Sequence, residues 1–151
     1  MSEAKEILTK LKEPFKAKEI HWRVGSTSKD KSSALALAYI DARDVMKRLD
    51  DVLGIDCWQD SYVETPSGRV ICTISINVTG QWISKSDGAG DSAVEGEKGA
   101  ISDAFKRAAV KFGVGRYLYY LGNTWTAIDQ YKKIIKDPTL PKWALPSEEG
   151  K

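Results

Sequence analysis

Apolar and polar residues alternate one by one along residues 69–78, which predicts a β-strand with a single buried face. Residues 65–68, Thr-Pro-Ser-Gly, have the chemistry of a tight turn, so we predict a hairpin with a preceding strand at residues 58–64. The apolar side of the alternating strand consists of Val70, Cys72, Ile74, Ile76 and Val78.

Three more extended segments surround this hairpin. Thr79-Gly80 predicts a turn into a strand at residues 81–85, and residues 86–92 are rich in glycine and aspartate, which predicts a loop. Nearer the start of the chain, residues 19–24 and 34–39 are β-like and flank a polar loop.

Three segments have helical periodicity instead. The first covers residues 3–12 and is ended by Pro14, the second runs from Asp41 to Gly54, and the third begins near Glu97. The apolar residues that we expect on their inner sides are Ile7, Leu8 and Leu11 in the first helix, Val45, Leu49, Val52 and Leu53 in the second, and Ile101, Phe105, Ala108 and Phe112 in the third.

This order of elements predicts an α+β fold, in which an antiparallel hairpin or meander sheet packs on helices. We expect an N-terminal helix and linker at residues 1–18, a core domain at residues 19–121 and a C-terminal extension at residues 122–151. The extension contains several prolines and little periodicity, and we expect residues 138–151 to be a loose tail.

Composition narrows the class of protein. The chain has 151 residues and a formal net charge of +2. We find neither an apolar run long enough to span a bilayer nor a signal peptide, so we expect an intracellular protein without a membrane partner. Cys57 and Cys72 lack the partners of a structural zinc site and predict reduced thiols. The tryptophans expected in the core are Trp58, Trp82 and Trp125.

Positive charge is concentrated on the third helix and the turn that follows it. Residues 98–116 contain five cations and one anion, Asp103; they include Gly113-Val114-Gly115 and are followed by three tyrosines. A cationic helix face beside a glycine turn and aromatic residues suits a nucleic-acid backbone, although a solvated amphipathic helix would have the same pattern. The five cations are Lys98, Lys106, Arg107, Lys111 and Arg116.

The sequence offers little for catalysis. There is no GxxxxGK[ST] motif, and a single histidine leaves nucleophilic triads without support. Asp87, Asp91, Glu95 and Glu97 lie close to Lys98, as in a metal-dependent nuclease, but acidic residues in a first helical turn also complement the helix dipole. We therefore expect no enzyme, no catalytic residue, no metal site and no cofactor.

Two motifs in this chain resemble the Rad52 family of single-strand annealing recombinases. The segment AYIDARDVMKRLDDVLGIDCW (residues 38–58) is similar to that family's tyrosine-isoleucine-acidic helix with its Gly-x-x-x-Trp exit. The segment SDAFKRAAVKFG (residues 102–113) is similar to its lysine-arginine-alanine helix ending in Phe-Gly, and GVGRYLYYL (residues 113–121) looks most like the short bacteriophage and bacterial members. Both motifs occur in the family's order, with a hairpin between them.

The resemblance implies a subunit of a closed ring or related homo-oligomer of about ten copies. It implies ATP-independent binding and annealing of single-stranded DNA, in homologous recombination and double-strand break repair. The partners would be single-stranded DNA, a complementary strand or duplex, other copies of the chain and, as a candidate, a single-strand-binding protein. The location would be the cytoplasm of a bacterial or phage-infected cell.

The resemblance also assigns roles to individual cations. Lys106 and Arg107 match the pair that contacts phosphates, and Lys111 stands beside Val110, where the family has a further arginine. In the second helix, Arg43 is the neighbour of Asp44, which occupies the position of a phosphate-binding arginine. Arg69 matches a basic position of an outer, duplex-binding site, whereas Asp87 and Asp91 stand where the family has basic residues. The predicted DNA-binding set is therefore Lys98, Lys106, Arg107, Lys111 and Arg116 with Arg43 and Arg69.

Two other interpretations stay open from the residues alone. One is a monomeric nucleic-acid-binding α+β domain, similar to a double-stranded-RNA-binding domain. The other is a metal-dependent nuclease that uses Asp87, Asp91 or Glu97.

Overall fold

The computed structural model describes residues 2–89 and 96–147, without the side chains of residues 96–98. The chain divides into two compact units, one of residues 1–13 and 42–116, the other of residues 14–41 and 117–151. In chain order, the helices and strands are α1 (Glu3–Leu11), β1 (Ile20–Thr27), β2 (Ser33–Ile40), α2 (Ala42–Leu53), β3 (Trp58–Glu64), β4 (Val70–Val78), β5 (Gln81–Ala89), α3 (Gly96–Val110) and β6 (Thr124–Ala127). Short 3₁₀ helices cover Ala17–Glu19, Arg116–Tyr120 and Lys142–Ala144.

The first unit is built on an antiparallel sheet in the order β3-β4-β5. The alternating residues of β4 are buried at every second position, as their pattern predicts, and α3 packs across β4 and β5. The residues of α3 that this packing buries are Ala104, Phe105, Ala108 and Ala109, with Phe112 just after the helix. Three alanines let the helix approach the sheet closely, and the two phenylalanines fill the space beside them.

The opposite face of the same sheet is exposed and rich in hydroxyl groups. Thr73 Oγ1 and Ser86 Oγ lie 2.7 Å apart, and so do Ser75 Oγ and Ser84 Oγ. In these cross-strand pairs each hydroxyl group has its hydrogen-bond partner on the neighbouring strand, without a charged group.

Arg48 of α2 connects α2 to the end of α1. Its Nη1 donates to the carbonyl oxygens of Leu11 at 3.0 Å and of Glu13 at 2.6 Å. These acceptors lie at the carboxyl end of α1, where backbone carbonyls lack helical partners and a cation is favoured.

The second unit contains a sheet in the order β1-β2-β6. One of its faces is buried through Ile20, Ala34, Ala36 and Ile40. The turn between β1 and β2 is closed by Asp30, whose carboxylate accepts hydrogen bonds from the Ser28 and Ser32 hydroxyls and from the Ser32 N–H. These bonds favour the charged carboxylate and lower its pKa to about 2.

The predicted α+β plan, with antiparallel strands packed on helices, is confirmed, and β3, β4 and the turns between the strands fall where the sequence predicts them. The predicted loop at residues 86–92 is wrong at its start, because β5 continues to Ala89 in register with β4. The sequence also did not predict β6, whose four residues are too few for a periodic signal. The oligomeric ring stays a prediction.

The expectation that Trp82 and Trp125 lie in the core is wrong. Their side chains are 46% and 55% exposed, and Trp58 is half-buried with its ring 6.0 Å from that of Phe105. Trp82 and Trp125 lie on sheet faces that no described element of their own unit covers. The face on which a residue falls, and not the size of its side chain, therefore decides whether these tryptophans are buried. Within the described residues, every helix is too short or too polar to cross a membrane.

Gly113 supports the junction between α3 and α1. Its φ is +97°, and a Cβ built on it would lie 3.0 Å from the Cβ of Lys12. We expect Gly113→Ala to lower the free energy of unfolding by about 1–2 kcal/mol for the left-handed backbone, and by about a further 1 kcal/mol for the contact.

Gly68→Ala is the matched control in urea unfolding, because Gly68 has a φ of +86° and open space around it. Equal losses of stability in the two variants would contradict the close approach of Gly113 to Lys12.

Candidate nucleic-acid interface

The candidate interface begins where α3 ends. Gly113 N–H donates to the Val110 carbonyl at 2.9 Å, and Val114 N–H donates to the Ala109 carbonyl at 3.2 Å. These two bonds form a Schellman motif, which requires a left-handed residue and therefore favours glycine at position 113. The motif turns the chain back toward the helix and places Arg116 beside the final carbonyls.

Two cations are anchored on those carbonyls. Arg116 donates from Nε to the Val110 carbonyl at 3.0 Å and from Nη2 to the Lys111 carbonyl at 2.8 Å. Lys85 of β5 donates to the same Lys111 carbonyl at 3.2 Å, and its Nζ lies 5.3 Å from the centre of the Phe112 ring. The partial negative charge at a helix carboxyl end and the ring face both attract cations, which explains this convergence.

Lys111 completes a reciprocal contact between α3 and β5. Its Nζ donates to the Ser86 carbonyl, while its own carbonyl accepts from Lys85. The two lysines therefore join the helix end to the strand without a carboxylate between them.

Arg107 lies one helical turn before Lys111, on the same side of α3. Its Nε is 3.5 Å from Asp87 Oδ1 on β5, and the side chains are 48% and 27% exposed. At that exposure, solvent screens the ion pair, and its net contribution to stability is small. Among the described side chains at this helix end, Asp87 neutralises one of four cations, and the remaining charge is positive. We call this group the helix-end cluster: Lys85, Arg107, Lys111 and Arg116.

Lys106 and Arg43 lie elsewhere in the same unit. Lys106 is half-buried on α3, and Arg43 is exposed in the first turn of α2, which packs against α3. Asp44, at the position where the resemblance places an arginine, is half-buried next to Arg43. The structure therefore brings three of the predicted cations together in the helix-end cluster and leaves these two outside it.

Arg69 belongs to the other side of the sheet. It precedes the buried Val70, so its side chain alternates onto the hydroxyl-rich face, where it lines a shallow pocket with Ile71, Ser86 and Gly88. Its backbone closes the hairpin turn by accepting from Thr65 N–H at 2.8 Å. A ligand held by Arg69 would lie on the face opposite α3.

Several predicted residues lie outside what the structure describes. These are Asp91 and Glu95, together with the side chains of Glu97 and Lys98. Of the carboxylates considered for a nuclease, Asp87 alone is described, and it faces Arg107.

Both cysteines are free thiols. Cys72 is fully buried under α3, and burial raises its pKa to about 11 despite a hydrogen bond from Tyr62 that acts in the other direction. Its thiol stays protonated near neutral pH, and a protonated buried thiol is a poor nucleophile.

Lys85 is the member of the helix-end cluster that sequence reasoning missed. It faces α3 because it pairs with the buried Ile74 in the β4–β5 ladder. Counting alternation backward from Lys85 to Ile83 would have placed it on the helix side of the sheet. Nothing in the sequence, however, shows that the helix carbonyls end beside it.

The chain is similar to proteins of a known family. Residues 3–135 match the Rad52/22 family, described as double-strand break repair proteins. The single-stranded DNA-binding protein DdrA of Deinococcus deserti is 42% identical over 149 residues, covering 95% of this chain and 72% of that protein. DdrA of Deinococcus radiodurans is 36% identical over 147 residues, covering 95% of this chain and 70% of that protein. The chain belongs to the Rad52/22 family.

Proposed function

We propose that this protein binds single-stranded DNA by its phosphates and anneals complementary strands without ATP, in recombination and double-strand break repair. The helix-end cluster is the observation that carries the proposal, because it orders four cations around one anion at the surface of the first unit. Family membership and the similarity to the single-stranded DNA-binding DdrA proteins support the same conclusion.

Cation–phosphate contacts suit an annealing protein for a physical reason. They release counterions from the strand and give affinity that does not depend on sequence. A protein that must pair any two complementary strands needs this kind of contact and must leave the base edges open. Binding through phosphates also reduces the repulsion between two strands as they meet.

One subunit offers few such contacts, so we propose that several copies act together. A strand bound by one copy is held near the next, and each added contact becomes intramolecular. Within the part of the chain that the structure describes, β3 and β5 are the edge strands of the first unit's sheet, and another chain can pair at such an edge. On their α3-facing sides, β3 carries Asp60 and Glu64, and β5 carries Lys85 and Asp87, of which Asp87 is paired with Arg107. A head-to-tail contact between copies would therefore bring the carboxylates of β3 near Lys85.

The mechanism requires no bond to be made or broken in the DNA. The cations hold the strand extended, and complementary bases pair while mispaired strands dissociate before further contacts form. We therefore propose a binding protein and not an enzyme, working where bacterial or phage DNA is repaired, in the cytoplasm. The contributions of Lys98, Arg43 and Arg69 to DNA binding belong to this proposal.

Replacing Lys106 and Arg107 by alanine should test the phosphate contacts most cleanly. Neither residue belongs to the buried apolar stripe by which α3 packs on the sheet, so we expect the fold to survive. We expect affinity for single-stranded oligonucleotides to fall about tenfold or more, whatever the sequence. The logarithmic dependence of affinity on salt should become shallower by about 0.7 for each phosphate that the variant no longer neutralises.

Lys5→Ala with Lys10→Ala provides the charge-matched control, since both lysines are exposed and lie on α1, outside the predicted DNA-binding set. Fluorescence anisotropy at several salt concentrations would measure both quantities. If the two double variants had the same affinity and slope, α3 would not be the DNA surface.

Arg69→Ala should separate binding from annealing. Because Arg69 lies on the sheet face opposite α3, we expect its removal to leave single-strand affinity unchanged and to slow annealing severalfold. The measurement is a fluorescence-quench annealing time course without ATP and with EDTA, compared with a protein-free control. An unchanged annealing rate would show that no outer site operates, and a wild-type rate equal to the control would leave only a passive binder.

The assembly itself is a prediction from the family resemblance. Light scattering after size exclusion, with and without oligonucleotide, should give the mass of a closed homo-oligomer of about ten copies. A monomer or dimer at micromolar concentration with DNA present would contradict the proposed cooperation between copies.

A further inference from the structure

The contact between Arg107 and Asp87 differs from the other contacts that hold the helix-end cluster. Lys85, Lys111 and Arg116 are positioned by backbone carbonyls, which carry no net charge. Arg107 instead faces a carboxylate, with its Nε 3.5 Å from Asp87 Oδ1. Among the described contacts of the cluster, this is the one that cancels the charge of the cation it holds.

This ion pair is weak enough for a phosphate to replace the carboxylate. A strong hydrogen bond between a guanidinium and a carboxylate measures about 2.7–2.9 Å, and the Arg107–Asp87 distance of 3.5 Å is well beyond this range. The two side chains are 48% and 27% exposed, so solvent also screens their attraction. The contact uses Nε, and the guanidinium has further N–H donors on its two Nη atoms with which it can bind a phosphate.

The sheet and the local backbone position the Asp87 carboxylate independently of Arg107. Asp87 pairs with Cys72 in the β4–β5 ladder, and this register places its side chain on the side of the sheet that faces α3. Its Oδ1 accepts a hydrogen bond from the Gly88 N–H at 2.7 Å. The carboxylate therefore stays beside the helix when Arg107 binds another anion, and a phosphate held by Arg107 lies close to this negative charge.

We propose that Asp87 is a positioning residue that restrains DNA binding by Arg107: a phosphate must replace the carboxylate as the partner of the guanidinium, and the carboxylate then repels the bound strand. This inference rests on the proposed function and adds to it a residue that sets how tightly each copy holds the strand. Two strands that anneal must realign until their bases match, which requires phosphate contacts that open readily. A carboxylate that is held next to Arg107 closes on the cation whenever the phosphate leaves, so the strand dissociates faster.

Asp87→Asn tests the restraint, because asparagine removes the charge and keeps a side-chain oxygen that can accept from the Gly88 N–H. We expect the affinity for an oligothymidylate to rise about fivefold, mainly through slower dissociation. The logarithmic dependence of affinity on salt should become steeper by up to about 0.7, since Arg107 is then uncompensated before the strand arrives. Fluorescence anisotropy at several salt concentrations measures affinity and slope, and a chase with excess unlabelled oligonucleotide measures dissociation. Asp87→Ser, a second neutral replacement, should give the same gain.

Asp51→Asn is the matched control, because it removes the same charge from an ion pair on α2, in which Lys47 Nζ lies 2.6 Å from Asp51 Oδ2. We expect this control to change neither affinity nor slope, since both residues are exposed and lie outside the predicted DNA-binding set. A second comparison introduces Asp87→Asn into an Arg107→Ala background. The gain in affinity should be smaller there than in the wild-type background, because no guanidinium remains for the carboxylate to occupy.

The proposal is overturned if Asp87→Asn weakens binding or leaves it unchanged, because the carboxylate would then orient Arg107 for the strand or have no effect on it. It is also overturned if the gain is equal or larger in the Arg107→Ala background, since Asp87 would then act through its charge alone. Equal gains from Asp87→Asn and Asp51→Asn would contradict it too, by showing an effect of net charge. Wild-type protein that binds no oligonucleotide would instead refute the proposed function itself, before any variant is compared.

Discussion

The close packing of α3 on β4 and β5 is the interaction on which the candidate DNA surface depends. Ala104, Ala108 and Ala109 are fully buried and bring the helix near the sheet. This packing brings the Lys111 carbonyl, just after the helix, within reach of Lys85 on β5. It also lets the Lys111 side chain reach the Ser86 carbonyl on β5. A larger residue at any of the three alanines would separate the helix from the strand and disperse the cations with it.

Much of the first unit could be predicted because its signals are local. The alternation of β4, the Thr-Pro-Ser-Gly turn and the glycine after α2 each depend on neighbours in the sequence, and each is found where it was expected. The helix face that carries Arg107 and Lys111 follows from helical spacing alone.

The remainder depends on contacts between distant residues. The sequence does not show that β5 continues through Ser86 and Asp87, because these polar residues are held in the strand by their ladder with β4. It also does not show that Trp125 lies exposed on a sheet, since β6 exists only by pairing with β2. Lys85 was missed for the same reason, because its role depends on where α3 ends.

The way in which the helix-end cluster is held has a consequence for recognition. Lys85, Lys111 and Arg116 are oriented by backbone carbonyls, which are neutral acceptors, so the described contacts that position these side chains do not cancel their charge. A carboxylate in the same place would order a cation only by cancelling it. Three side chains that are ordered before the ligand arrives lose little conformational entropy when it binds, and the cluster therefore behaves as a rigid charged template.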